Sequence, residues 1–213
     1  TYNAFERGSI YFEQLDGTRI NAAGQKSGYK ISINPSTLQK TADELYNELL
    51  PIIEIDKDRL EKAVEKKERT YIEIANKVSK DEGEAVKKAV GKSIQLHSEK
   101  WRVYPMKGTA AHVLGLLGYN EDEFAGRYGL ERSYEDTLKR EDVDLYTNFF
   151  ARIFHNVKKL VDPTKAPEGD LISTIDPQVQ LFFESELKDV QERWDSASVG
   201  GIILNPKTGE VYA

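Results

Sequence analysis

The stretch GYKISINPSTLQKTADELYNEL, residues 28–49, decides the architecture, because the spacing of its apolar residues changes partway along. From Gly28 to Asn34 apolar and polar side chains alternate, the period of a half-buried strand. Pro35 ends that pattern, since proline has no N–H to give to a ladder. Thr41-Ala-Asp-Glu44 then fits a capping box, in which the threonine hydroxyl and the glutamate carboxylate satisfy orphan amides at a helix start. Leu38, Ala42, Leu45 and Leu49 recur at helical spacing and give that helix one apolar face.

Upstream, Arg7-Gly-Ser-Ile-Tyr-Phe12 reads as a strand, Asp16-Gly17 as a hairpin turn and residues 18–22 as a second strand, with residues 28–34 the third. Downstream, Pro51 closes the first helix or lies just past it. A second helix is expected from about Asp58, its buried face supplied by Leu60, Val64, Tyr71, Ile74, Ala75 and Val78. Ser79-Lys-Asp-Glu82 is another capping box, opening a helix that ends at Val90 with Gly91 as its C-cap. Residues 94–96 and 101–104 read as strands, 110–117 as a short helix running into a strand, and 130–138 as helical. Leu145, Phe149, Ile153, Val157 and Leu160 predict a longer helix over 143–161, and Asp162-Pro-Thr-Lys-Ala-Pro-Glu-Gly169 is the best linker. Residues 171–175 follow as a strand. Asp176-Pro177 is an N-cap with proline at the first helical position, and Val179, Phe182, Phe183, Leu187, Val190 and Trp194 line one face of the helix it opens. A hairpin with its turn at Asn205-Pro-Lys-Thr-Gly209 closes the sequence. Strands flank a helical block rather than alternating with helices, so the expected class is α+β: a mainly antiparallel sheet with an inserted helical lobe over about 36–92.

Composition narrows the function. Charged residues make up 31% of the 213-residue chain and the net charge is -6, which argues against a nucleic-acid binder with its basic face. The absence of cysteine removes disulfides, thiolate metal sites and cysteine nucleophiles together. His97, His112 and His155 are widely spaced and match no metal-ligand pattern, and no glycine-rich phosphate loop occurs, so no metal or cofactor is expected. The chain starts at Thr1 and its one methionine is Met106, so it is expected to begin inside a longer polypeptide or after processing.

Penicillin-interacting serine enzymes carry S-x-x-K, S-x-N and K-T-G motifs, and this sequence contains all three as text. Ser27-Gly-Tyr-Lys30, Ser32-Ile-Asn34, Lys207-Thr-Gly209 and a further Ser185-Glu-Leu-Lys188 supply them. The chemistry needs the S-x-x-K serine at a helix start, with its hydroxyl beside the lysine one turn on. Ser27–Lys30 instead enters a strand, where positions i and i+3 face opposite ways. Ser185 falls in mid-helix, and Lys207-Thr-Gly209 in a hairpin turn. No catalytic residue is assigned.

Three stretches nevertheless resemble class B penicillin-binding proteins. The first is Arg7-Gly-Ser-Ile-Tyr-Phe12 with Asp16-Gly17, although Phe12-Glu13 departs from the family's Asp-Arg. The second and most specific is Trp101-Arg-Val-Tyr-Pro105, Ala110-Ala-His-Val-Leu-Gly115, Gly126-Arg-Tyr-Gly-Leu-Glu131 and Tyr134-Glu135, in the family's order. The third is Leu171-Ile-Ser-Thr-Ile-Asp176 with Gln180 and then Gly201-Ile-Ile-Leu-Asn-Pro-Lys-Thr-Gly-Glu-Val-Tyr-Ala213, which is similar to the opening of the transpeptidase domain.

The resemblance implies that residues 1–168 are the dimerisation or pedestal domain and that 169–213 are the first helix and hairpin of a truncated transpeptidase domain. It implies a parent anchored on the extracytoplasmic face of the bacterial membrane, cross-linking peptidoglycan through a serine downstream of Ala213. The chain itself would be a non-catalytic scaffold. Its partners would be a glycan polymerase or other cell-wall synthesis proteins, its own transpeptidase domain, and a second copy in a homodimer. The alternative is a stand-alone interaction module of the same fold. Arg102, Tyr104, His112, Arg127 and Glu131 recur in the family signature. They are read first as structural, ordering turns through hydrogen bonds and ion pairs, and second as partner contacts. Tyr119 and Phe124 are the candidates for an exposed partner patch.

Overall fold

In the computed structural model, residues 6–120, 123–140 and 169–213 are described. The expected helix over 143–161 and the linker over 162–168 lie outside them. The chain divides into two compact units, one of residues 26–101 and one of 6–25 with 102–213.

The first unit is a small sheet under three helices. The second half of strand β2 (Arg19–Ile33) pairs antiparallel with β3 (Ile72–Ser79), and β2 also pairs with β4 (Gln95–Val103). Helices α1 (Ala42–Leu49), α2 (Lys57–Glu65) and α3 (Lys80–Val90) bury Leu45, Leu49, Leu60, Val64, Val86 and Val90 in one core with Ile31, Ile33, Ile74, Val78 and Ile94. Both capping boxes form as the sequence predicts. Thr41 Oγ1 accepts from the Glu44 amide and Ser79 Oγ from the Glu82 amide, while each glutamate reaches back to the cap amide. Gly91 closes α3 at φ 68°.

Two expectations fail here. The segment expected to extend the second helix through Val78 is strand β3. Ile74 and Val78 satisfy helical spacing, but they also share one face of a strand, and β-branched Ile72, Ile74 and Val78 favour the pleated surface. A bulge at Lys77, φ 53°, adjusts the register against β2. The expected strands at 18–22 and 28–34 are one 15-residue strand, and 94–96 with 101–104 are likewise continuous in β4. Gly28 lies within β2, where its role is closeness: a Cβ there would sit 2.0 Å from the Val78 carbonyl oxygen and 2.9 Å from the Trp101 ring.

The second unit pairs β1 (Ile10–Glu13) antiparallel with the first half of β2 through the Asp16-Gly17 turn, where Gly17 takes φ 83°. On its other side β1 pairs in parallel with β7 (Leu171–Ser173), so the strand pairing is mixed rather than antiparallel throughout. A hairpin of β5 (Leu117–Asn120) and β6 (Glu123–Gly126) sits between short helices α4 (Ala111–Leu114), α5 (Gly129–Ser133) and α6 (Glu135–Leu138) in chain order. Ile10, Phe12, Ala22, Ala23, Leu114, Leu138 and Ile175 form the core. Asp176 caps α7 (Pro177–Trp194), accepting from the Gln178 and Val179 amides, and its other oxygen takes the Leu15 amide at 2.9 Å. The apolar face predicted for α7 is present but open: Phe182 is 65% and Trp194 74% exposed. No helix of the described residues is long and apolar enough to cross a membrane.

A buried four-charge cluster as the candidate functional site

Two guanidinium groups and two carboxylates meet inside the second unit. Arg7, just ahead of β1, donates from Nε to Glu131 Oε2 at 2.7 Å, and its two terminal nitrogens span both oxygens of Glu135 at 2.8 Å each. Arg102, near the end of β4, donates from Nε to Glu131 Oε1 at 2.8 Å and from Nη1 to the Gly8 carbonyl at 2.6 Å. The Tyr104 hydroxyl donates to the same Glu131 oxygen at 3.2 Å. Glu135 also accepts the Gly126 amide at 2.9 Å. The Arg7 and Glu131 side chains are both fully buried. Arg102 Nη2 is buried without a hydrogen-bond partner among the described residues.

Glycines bring these elements close enough. Gly115, which ends α4, has φ 77°, and Gly129, which opens α5, has φ 64°. A Cβ on Gly115 would lie 1.8 Å from the Tyr128 carbonyl oxygen, and one on Gly129 2.4 Å from that of Val113. Only bare backbone lets the end of α4 abut the start of α5 and so aim Glu131 inward.

The electrostatics follow from burial. Desolvation alone would lower the Arg7 pKa, but Glu135 and Glu131 outweigh it and leave Arg7 raised, so it stays charged. Burial would raise Glu135, yet hydrogen bonds from Arg7 and Gly126 hold it below the usual carboxylate range. Burial, and then the Glu131 charge, push the Tyr104 phenol up to about 12. Guanidinium groups hold both carboxylates, joined by the Tyr104 hydroxyl at Glu131 and the Gly126 amide at Glu135, so the cluster ties three chain segments together.

The Tyr104 shift gives a direct check. A raised folded-state pKa contributes stability that is complete below the unfolded value of 10.0 and is lost as pH rises through about 12. Phenolate absorbance is expected to show one tyrosine ionising near pH 12, and Tyr104→Phe to remove that component and flatten the alkaline loss of stability.

Of the five residues singled out in the sequence, the structure joins Arg102, Tyr104 and Glu131. His112, on α4, and Arg127, between β6 and α5, are exposed and outside the cluster. Arg127 offers its backbone amide to the Leu116 carbonyl at 2.9 Å. Arg7 and Glu135 complete the cluster, and the signal for each was its place in the quoted motifs. Tyr119 is 74% and Phe124 37% exposed, their rings 4.9 Å apart. The serine motifs stay where the sequence put them: Ser27 and Lys30 lie on β2, Ser185 and Lys188 are exposed along α7, and Lys207 is exposed in the final turn. Lys30 pairs with Glu73 at 3.0 Å, and the buried Ser32 hydroxyl is 2.8 Å from His97 Nε2.

The family model of the penicillin-binding protein dimerisation domain matches residues 5–144, which takes in all five residues of the cluster. The chain belongs to that family. The chain is 27% identical over 212 residues to stage V sporulation protein D of Bacillus subtilis, covering 97% of the chain and 31% of that protein. It is 29% identical over 168 residues to the probable peptidoglycan D,D-transpeptidase PenA of Neisseria gonorrhoeae, covering 78% of the chain and 28% of PenA. With the probable D,D-transpeptidase FtsI of Caulobacter vibrioides the identity is 24% over 153 residues, 72% of the chain and 21% of FtsI. Among solved structures, penicillin binding protein 2X of Streptococcus thermophilus aligns over 100% of the chain and 34% of its own length, with TM-score 0.61 and 21% identity. That likeness establishes a shared mixed α+β fold. The chain thus spans between about a fifth and a third of the length of these relatives.

Proposed function

We propose that this chain is the non-catalytic scaffold of a peptidoglycan D,D-transpeptidase, anchored at the extracytoplasmic face of a bacterial membrane and contacting other cell-wall synthesis proteins, a glycan polymerase first among them. The observation that carries the reading is the use made of the family's signature. Its charged residues are spent on one another in a buried cluster, while no serine–lysine pair stands in catalytic context. Arg102, Tyr104 and Glu131 serve as structural ties, and the exposed His112 and Arg127 are left for partner contact. Residues 1–168 make up the pedestal, with 36–92 as its inserted lobe, and 169–213 open the transpeptidase domain. The open apolar face of α7, with Ile202 at 70% and Leu204 at 52% exposure, suits a segment packed within a larger catalytic core.

Fluorescent penicillin tests the reading. The purified 213-residue chain should take no label. Covalent labelling abolished by Ser27→Ala or Ser185→Ala would place acyl-serine chemistry in the chain and overturn the proposal.

A further inference from the structure

Ala110, the residue before α4, stands at φ 51° and ψ 29°, the left-handed region that an L side chain rarely occupies. A residue in that place is ordinarily extended, with a serine, threonine, asparagine or aspartate side chain accepting from the first turn. Alanine has no such atom, and it is buried in the core. Its backbone amide donates instead across 74 positions, to Glu184 Oε1 on α7 at 2.9 Å. The same oxygen accepts from Gln180 Nε2 at 2.8 Å, one turn earlier on α7, which aims the carboxylate. The link leading into α4 is tightly wound. Lys107 is also left-handed at φ 53°, and the Lys107, Thr109 and Ala111 amides donate to the Tyr104, Met106 and Gly108 carbonyls. Such strain persists only where the surroundings over-determine it. Here Glu184 holds one side, and the close approach of Gly115 and Gly129 holds α4 on the other.

We propose that Ala110 and Glu184 form a two-state clamp that makes the docking of α4 depend on the position of α7. With the bond made, Ala110 is held left-handed, and α4 runs into the contact of Gly115 with the Tyr128 carbonyl at the start of α5. With α7 drawn away, the amide loses its carboxylate and Ala110 relaxes to the ordinary negative φ. That is a turn of roughly 110° about one bond, and it redirects everything that follows. α4 then parts from α5, and Glu131 on α5 loses the support that aims it at Arg7 and Arg102. The two states lie close in free energy. A hydrogen bond to a charged acceptor and the strain of one left-handed alanine are of similar size and opposite sign. All the segments involved belong to the second unit. The clamp stands on contacts within it and holds whether or not the chain serves a transpeptidase.

A plainer role for Glu184, as an acceptor for a buried amide and nothing more, predicts a different outcome. Glycine takes positive φ freely, so Ala110→Gly removes the strain and leaves the amide in place. Native-state hydrogen exchange of the whole chain, read by NMR, separates the two roles. The reporters are the Leu114 and Gly115 amides, which donate to the Ala110 and Ala111 carbonyls at 2.8 and 2.9 Å. Glu184→Ala should speed their exchange about tenfold or more. In the Ala110→Gly background the same change should speed it less than about threefold, because α4 then stays docked without the clamp. Glu184→Gln keeps an oxygen acceptor without the charge and should fall between, and it carries the same comparison if the alanine variant does not fold. Equal acceleration in both backgrounds would show that Glu184 only satisfies the amide, and would overturn the proposal. So would unchanged exchange at Leu114 and Gly115 in Glu184→Ala.

Discussion

Replacing Glu131 with alanine should cost the chain about 3–5 kcal/mol of unfolding free energy, the range for removing one partner of a buried ion pair. The reason is what remains. Arg7 would keep Glu135, but its Nε would face the space left at Glu131, and Arg102 would lose its carboxylate partner among the described residues. Neither guanidinium can shed its proton to escape. Glu131→Gln tests the charge separately from the shape. It keeps an acceptor for one arginine but leaves the cluster with two cations and only Glu135 as anion, so most of the loss should persist. Denaturant unfolding of wild type and both variants measures it. A loss below about 1 kcal/mol for the alanine variant, the level of an exposed pair, would show that the cluster is not closed to water.

Gly115→Ala should be comparably harmful without touching a charge. At φ 77° and ψ -165° the backbone lies in a region open essentially to glycine alone, which costs another residue about 1–3 kcal/mol. The new Cβ would also meet the Tyr128 carbonyl oxygen, at 1.8 Å before any relaxation, and relief by backbone shift adds about 1–3 kcal/mol more. The shift would part α4 from α5 and draw Glu131 away from both arginines. The same unfolding experiment should therefore show a loss of about 2–6 kcal/mol, with the Tyr104 ionisation moving back toward 10.0. By contrast Gly209→Ala, in the exposed final turn at φ 80° with open space around its Cβ, should cost only the strain of that conformation.

The elements that could be read in the sequence are those whose signal is local. Thr41, Ser79 and Asp176 cap helices through atoms two or three residues away, so the residue types at those spacings carry the geometry. β3 departs from the expected helix because Ile74 and Val78 fit two periods at once, and the decision rests on pairing with residues of β2 that lie far earlier in the chain. The parallel partner of β1 comes from residue 171 onward, which no local pattern could indicate. The site divides in the same way. Arg102, Tyr104 and Glu131 stood out as motif residues, and so did His112 and Arg127. Burial separates the two sets, and a motif does not display burial. Arg7 and Glu135 were visible as letters in two different motifs, but the bond between them spans 128 positions.

Signature residues far apart in the chain meet in one buried cluster. A double-mutant cycle on Arg7→Met and Glu131→Gln, read by denaturant unfolding, measures that coupling most directly. The two side chains are fully buried and 2.7 Å apart, so the cycle should return a coupling energy of about 2–3 kcal/mol. Losses that add to within about 0.5 kcal/mol would contradict it.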